Sequence, residues 1–234
     1  MNRNAESTDD PPRSMWTDVT RRRTLLGTAG IVAGSLAGCL GSGKAASVDS
    51  DIKCFDGSGD LSADQPLSAP IKGDPKADIT VIAYEDFACP HCKEYVENVV
   101  PTIQKQYIKP GKVRYEHRDF PIPVKEPESY TAANAARAVQ VLGGDKAFWV
   151  ALDQLFAHQD SLGKDLYASL GKQTCLGKKK VKNAAANERY KETIREDRRH
   201  GRNKGVRATP TVLVNGSAVD PTVDAISAAI DSAN

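Results

Sequence analysis

The chain has 234 residues, 40% of them hydrophobic and 26% charged, which is ordinary globular material, long enough for one good core or a core with an inserted subdomain. Lys and Arg number 32 against 30 Asp and Glu, for a formal charge of +2. No whole-protein field points to nucleic acid.

The first forty residues read as an address. Arg21-Arg22-Arg23-Thr24-Leu25-Leu26 precedes a modestly apolar, Gly/Ala-rich stretch that runs to Gly38, a charged region followed by a short apolar one, too short and glycine-rich for a comfortable membrane span. The Arg22-Arg23 pair resembles a twin-arginine export signal, with Leu where that signal often has Phe. Leu36-Ala37-Gly38-Cys39 resembles a lipobox, in which small residues fit a peptidase cleft and a thiol carries the lipid. Residues 1–38 are therefore expected to be a signal peptide and Cys39 the lipidation site, an anchor firm enough once two or more acyl chains are buried. The other reading is a plain transmembrane anchor with an incidental Cys39. Both put the body of the chain outside the cytoplasm, and the first puts it on the extracytoplasmic face of the membrane.

Residues 39–75 are expected to form a lipid-anchored linker and a polar, mostly irregular arm, with the folded domain, residues 76–234, beginning near Ala77. Ile79-Thr80-Val81-Ile82-Ala83-Tyr84 is a buried-strand signature. A helix from about Pro90 carries Tyr95, Val96, Val99 and Val100 on one stripe until Pro101 kinks or breaks it. Lys112 to Asp119 alternates as a second strand, stopped by Pro121 and Pro123. Strand, helix, strand implies a right-handed crossover. From 128 to 204 only helical signals appear, with Asp145 expected to cap a segment bearing Phe148, Trp149, Leu152, Leu155 and Phe156. Thr211 to Val214 and Ser217 to Val219 flank Asn215-Gly216, a hairpin signal because a type I′ turn wants positive φ at both positions. A last amphipathic helix follows Pro221.

Cysteines stand at 39, 54, 89, 92 and 175, and only Cys89 and Cys92 are close enough in sequence to form a working pair. A C-x-x-C is half a zinc site or a redox dithiol. Zinc needs four ligands, and no second C-x-x-C, C-x-x-H or H-x-x-x-H occurs, so no metal is expected. In the redox reading Cys89 sits at the cap of a helix opened by Pro90, where unpaired N–H groups and the dipole lower its pKa. Cys92, one turn later, is the buried resolving thiol. His91 adds a donor and, when protonated, a charge that favours the thiolate, which makes the disulfide more oxidising.

Phe87-Ala88-Cys89-Pro90-His91-Cys92 in a strand-to-helix turn, with Ala208-Thr209-Pro210-Thr211 before a strand and hairpin, resembles the DsbA-like branch of the thioredoxin superfamily over about residues 75–232. The resemblance implies an α/β thioredoxin-like fold with an inserted helical subdomain, a cis Pro210 facing the disulfide, and Thr209 pairing with a client peptide as an added strand. Many members carry a Glu six residues before the first cysteine as a proton relay. Here that position is Ala83, and Glu85 is the candidate for the role, with Asp86 beside it.

Cys54 and Cys175 either form a structural disulfide or remain a free thiol and a small buried residue; the sequence leaves both open. The basic runs Lys178 to Lys182 and Arg198 to Arg202 are interleaved with Glu188, Glu192, Glu196 and Asp197, and are expected to be a solvated helical face rather than an anionic binding patch. Trp149 and Phe156 are expected in the core.

The function implied is an exported, membrane-anchored protein disulfide oxidoreductase that takes no cofactor and acts on exported proteins with free cysteines. A quinone-linked membrane thiol oxidase, DsbB-like or like a vitamin-K-epoxide reductase (VKOR), is the partner that would reoxidise it. The alternatives are an extracytoplasmic reductase or isomerase fed by a membrane donor, and a non-catalytic thioredoxin-fold binding lipoprotein.

Overall fold

A computed structural model of the chain describes Cys54, residues 61–62 and residues 65–233 apart from Pro123. The expected signal peptide, the lipidation site at Cys39 and the linker to residue 50 lie outside the described residues. Among the described residues, no helix is long and apolar enough to cross a membrane.

Five strands among the described residues form one sheet in the order β1-β3-β2-β4-β5: β1 Ile71–Gly73, β2 Ile79–Glu85, β3 Val113–Asp119, β4 Thr211–Val214 and β5 Ser217–Val219. Only β2 and β3 run parallel; the other pairs are antiparallel. The crossover between them carries α1 Pro90–Asn98, α2 Val100–Ile103 and a wide π turn over Gln104–Ile108. Pro101 stands in the first turn of α2, where its missing N–H costs nothing, and the chain breaks at Val99 just ahead of it.

β1 was not expected. It falls in the stretch 51–75 read as irregular, because three residues between a proline and a turn show no period-2 pattern. Arg114, Tyr115 and Glu116 of β3 supply its partners, so the pairing comes from the neighbour rather than from its own composition. The ordered domain accordingly begins before residue 76: Leu67 N donates to Thr193 Oγ1 at 3.0 Å, and Ser68 O accepts from Arg137 and Gln140.

The inserted helices are α3 Glu128–Ala157, α4 Lys164–Gln173, α5 Lys178–Ala186 and α6 Lys191–Asn203; α7 Val223–Asp231 closes the chain, capped by Thr222. Helix α3 is broken at Gly144 (φ 76°), a conformation glycine reaches without a Cβ penalty. Asp145, the expected cap of the segment beyond, instead accepts from Ile71 N at 2.8 Å and Gln140 Nε2 at 3.0 Å, tying β1 to the helix. Asn215 and Gly216 both have positive φ, 45° and 85°, as the expected hairpin turn requires.

Alternation along β2 sorts the two faces of the sheet. Ile79, Val81 and Ala83 join the main core with Phe148, Leu152, Leu155 and Phe156, while Tyr84 faces a second cluster with Phe120, Val206 and Leu213. Helix α6 presses on that second cluster at Gly201, where an added Cβ would stand 2.9 Å from ring atoms of both Phe120 and Tyr84. Cys54 and Cys175 are joined in a disulfide that spans 121 residues of sequence.

Candidate active site

Strand β2 ends at Glu85, and four residues later Cys89 is the N-cap of α1 with extended backbone (φ −82°, ψ 119°), followed by Pro90 at the first helical position. Asp86 shapes this turn. One of its carboxylate oxygens accepts from Ala88 N and the other from Ile122 N, both at 2.8 Å, while its carbonyl accepts from Cys89 N. Burial raises the Asp86 pKa, and these hydrogen bonds oppose that rise.

The thiols are differentiated by position. The Cys89 pKa is lowered to about 5, chiefly by a hydrogen bond from the Cys92 thiol, with further help from Thr209 and from the main-chain N–H groups of Cys92 and His91 at the start of α1, against an opposing burial effect. Cys92 is fully buried, and burial, the bond to Cys89 and the Glu85 charge push its thiol far upward. The Thr209–Pro210 peptide is cis, and Thr209 O lies 3.5 Å from Cys89 Sγ. The sequence-distant Thr209 carbonyl is thereby brought beside the first thiol.

The ring of His91 lies in solvent, 3.3 Å from Glu94 Oε2, and it is the main-chain N–H of His91 that reaches Cys89. Gln159 carried no signal in the sequence. From a 3-10 turn after α3 its Nε2 donates to Phe87 O at 2.8 Å and Cys89 O at 3.0 Å, so the helical insertion grips both sides of the active-site turn. A single Gln after an apolar helix looks like any surface residue.

Glu85 and Asp86 are both 1% exposed, so neither faces solvent. Period 2 places Glu85 on the same face of β2 as Ala83, the position at which the family's Glu is missing. His117 pairs in register with Ala83 and Asp119 with Glu85. The His117 imidazolium donates to Glu85 at 2.7 Å and to Asp119 at 3.1 Å. Burial works against the charge, but the bonds to Asp119 and Glu85 outweigh it and raise the His117 pKa to about 9. Arg137 continues the chain, 2.6 Å from Asp119 and from Asp197, and Arg118 joins Asp197 at 2.9 Å. Charges alternate through this buried row, which anchors α3 and α6 to the sheet and would be costly to break at any one member. Glu85 Oε1 has no hydrogen-bond partner among the described residues.

A family model described as thioredoxin matches residues 67–232. The chain belongs to the thioredoxin family. This thioredoxin-family chain is 28% identical over 167 residues to a probable disulfide bond formation protein D of Bacillus cereus, the match spanning 68% of the chain and 76% of that protein. It is 31% identical over 165 residues to an Na(+)/H(+) antiporter NhaA 3 of Salinispora tropica, covering 70% of this chain and 24% of that one. The crystal structure of oxidised BdbD from Bacillus subtilis aligns with a TM-score of 0.65 at 25% identity, covering 70% of this chain and 91% of that chain. With the dithiol geometry, these relatives identify a DsbA-like thiol-disulfide oxidoreductase.

Proposed function

We propose that the enzyme forms disulfide bonds in exported proteins from the outer face of the membrane, held there by lipid on Cys39 after twin-arginine export. The observation that carries the direction is the split between the two thiols: a Cys89 thiolate stable down to about pH 5 favours the reduced enzyme, so the disulfide is a strong electron acceptor.

In the proposed reaction a client thiolate attacks Cys89 Sγ. The Cys89–Cys92 bond breaks and its electron pair leaves on Cys92 Sγ. Burial makes a Cys92 thiolate costly, so it takes a proton. Glu85, held by His117 and with one oxygen unpartnered, is the group proposed to relay that proton. A second client thiolate then attacks the client sulfur of the mixed disulfide, releasing Cys89 as a stable thiolate. The client loses two electrons and gains one disulfide, and the enzyme gains both electrons. Thr209, whose carbonyl lies beside Cys89, is proposed to pair with the client strand, with cis Pro210 holding that edge open to the dithiol. A quinone-linked membrane thiol oxidase would then restore the disulfide.

The test is the reduction potential of Cys89/Cys92 in the full chain, equilibrated in glutathione buffers with thiols trapped. The expected value lies near about −120 mV, and one near about −270 mV would make the enzyme a reductant.

A further inference from the structure

The basic run Arg198 to Arg202 does not behave as one solvated face. Arg195 and Arg199 pair with Glu192 and Glu196 at 2.6 Å on the exposed side of α6. Arg198 and Arg202, one helical turn apart, instead line a pocket of about 340 Å³ together with Arg207, above the apolar side chains of Phe120, Ile122 and Val206. None of these three arginines forms an ion pair among the described residues. Arg198 donates to Tyr130 Oη at 2.8 Å and lies over the Phe120 ring at 5.7 Å, with its buried Nε unpartnered. Among the described residues, Arg207 donates only to main-chain carbonyls of Arg202 and Val206. The contact at Gly201 sets α6 directly on Phe120 and so brings Arg198 and Arg202 to the rim.

Two segments link the pocket to the active-site turn and the cis-proline loop. Ile122 is bonded to Asp86, which shapes the active-site turn. Val206 and Arg207 precede Thr209 by three and two residues, a reach of at most about 10 Å. A client strand that pairs with Thr209 as proposed, and runs toward Val206, would reach this pocket a few residues from its cysteine.

We infer that the pocket between α6 and the cis-proline loop is a client subsite that takes an acidic side chain two to four residues from the reacting cysteine, its carboxylate on Arg202 and Arg207 and its methylenes on Phe120 and Ile122. Guanidinium forks match carboxylates, and the apolar floor excludes water from the bond. This rests on the proposed oxidation of client thiols and names the clients it favours.

The test uses the oxidised full chain and reduced two-cysteine peptides that differ only in Glu, Gln or Lys three residues from the first cysteine, with rates read by thiol trapping. The Glu peptide is expected to react about tenfold faster than the Gln peptide, as one exposed charge-assisted contact would give, and the Lys peptide slowest. In Arg202→Gln/Arg207→Gln the Glu-to-Gln ratio falls to about one. Both peptides are read on the same variant, so a folding defect lowers both rates and leaves the ratio alone. Arg195→Gln/Arg199→Gln removes the same charge from the opposite side of α6 and keeps the preference. A parent without preference, a preference that survives in Arg202→Gln/Arg207→Gln, or one lost equally in both double variants would overturn the subsite. If none of the peptides reduced the disulfide while dithiothreitol did, client oxidation itself would fall, and the subsite with it.

Discussion

His117 Nδ1 lies 2.7 Å from Glu85 Oε2, fully buried, on the strand beside the one that leads into the dithiol. The pair fixes a carboxylate whose charge is felt by the Cys92 thiol. Glu85→Gln keeps the shape and removes the proton site. Client oxidation is expected to slow by about 10²-fold, while the reduction potential moves little. Rapid-mixing kinetics on the mixed disulfide check this, and an unchanged rate would remove Glu85 from the mechanism.

The Cys89 thiol should titrate at about pH 5 in the reduced enzyme. Because its folded pKa lies below the unfolded one, the stability that the thiolate adds to the reduced form is present above the unfolded value and is lost as pH falls through about 5. Thiolate absorbance followed on acidification reads the titration directly. A midpoint above pH 8 would contradict the account of its reactivity from the Cys92 bond and the N–H groups at the start of α1.

His117 has the opposite sign. Its folded pKa is raised to about 9, so its contribution is full below the unfolded value, about 6.5, and is lost as pH rises through about 9. In oxidised enzyme, where Cys89 and Cys92 do not titrate, the urea midpoint should fall between about pH 6.5 and 9. A flat profile would mean that the imidazole is neutral in the folded state.

Gln159→Leu removes the donor shared by Phe87 O and Cys89 O. Leaving buried carbonyls unsatisfied costs about 1–3 kcal/mol, or a drop of roughly 2–10 °C in Tm for a domain of this size. Calorimetry on the variant measures this, and the loosened turn should also raise the Cys89 pKa.

Replacing both Cys54 and Cys175 by Ser opens a loop of 121 residues and is expected to cost about 2–5 kcal/mol. The intact mass of the oxidised parent should differ from its reduced form by four hydrogen atoms, two for each disulfide, and the variant's by two. Retention of the parent's Tm in the double variant would contradict the predicted stabilisation.

The elements that read correctly from sequence were those whose cause is local. The apolar run of β2, the proline opening α1 and the Asn215-Gly216 turn act through dihedral preferences and periodicity within a few residues. The C-x-x-C announces its chemistry because helix-terminus electrostatics are built into its spacing. What tertiary structure alone decided was every relation whose partner lies far along the chain. β1 pairs because β3 offers an edge, and Asp145 ties that strand to α3 instead of capping a helix. Gln159 reaches the active-site turn from 70 residues away. Glu85 is buried because the pleat turns it inward and His117 meets it from a neighbouring strand. Arg198 and Arg202 separate from Arg195 and Arg199 only when Gly201 lets α6 rest on Phe120. Composition sets how many charges a chain carries, but which of them are paired, buried or left facing a pocket depends on which surfaces the fold brings together.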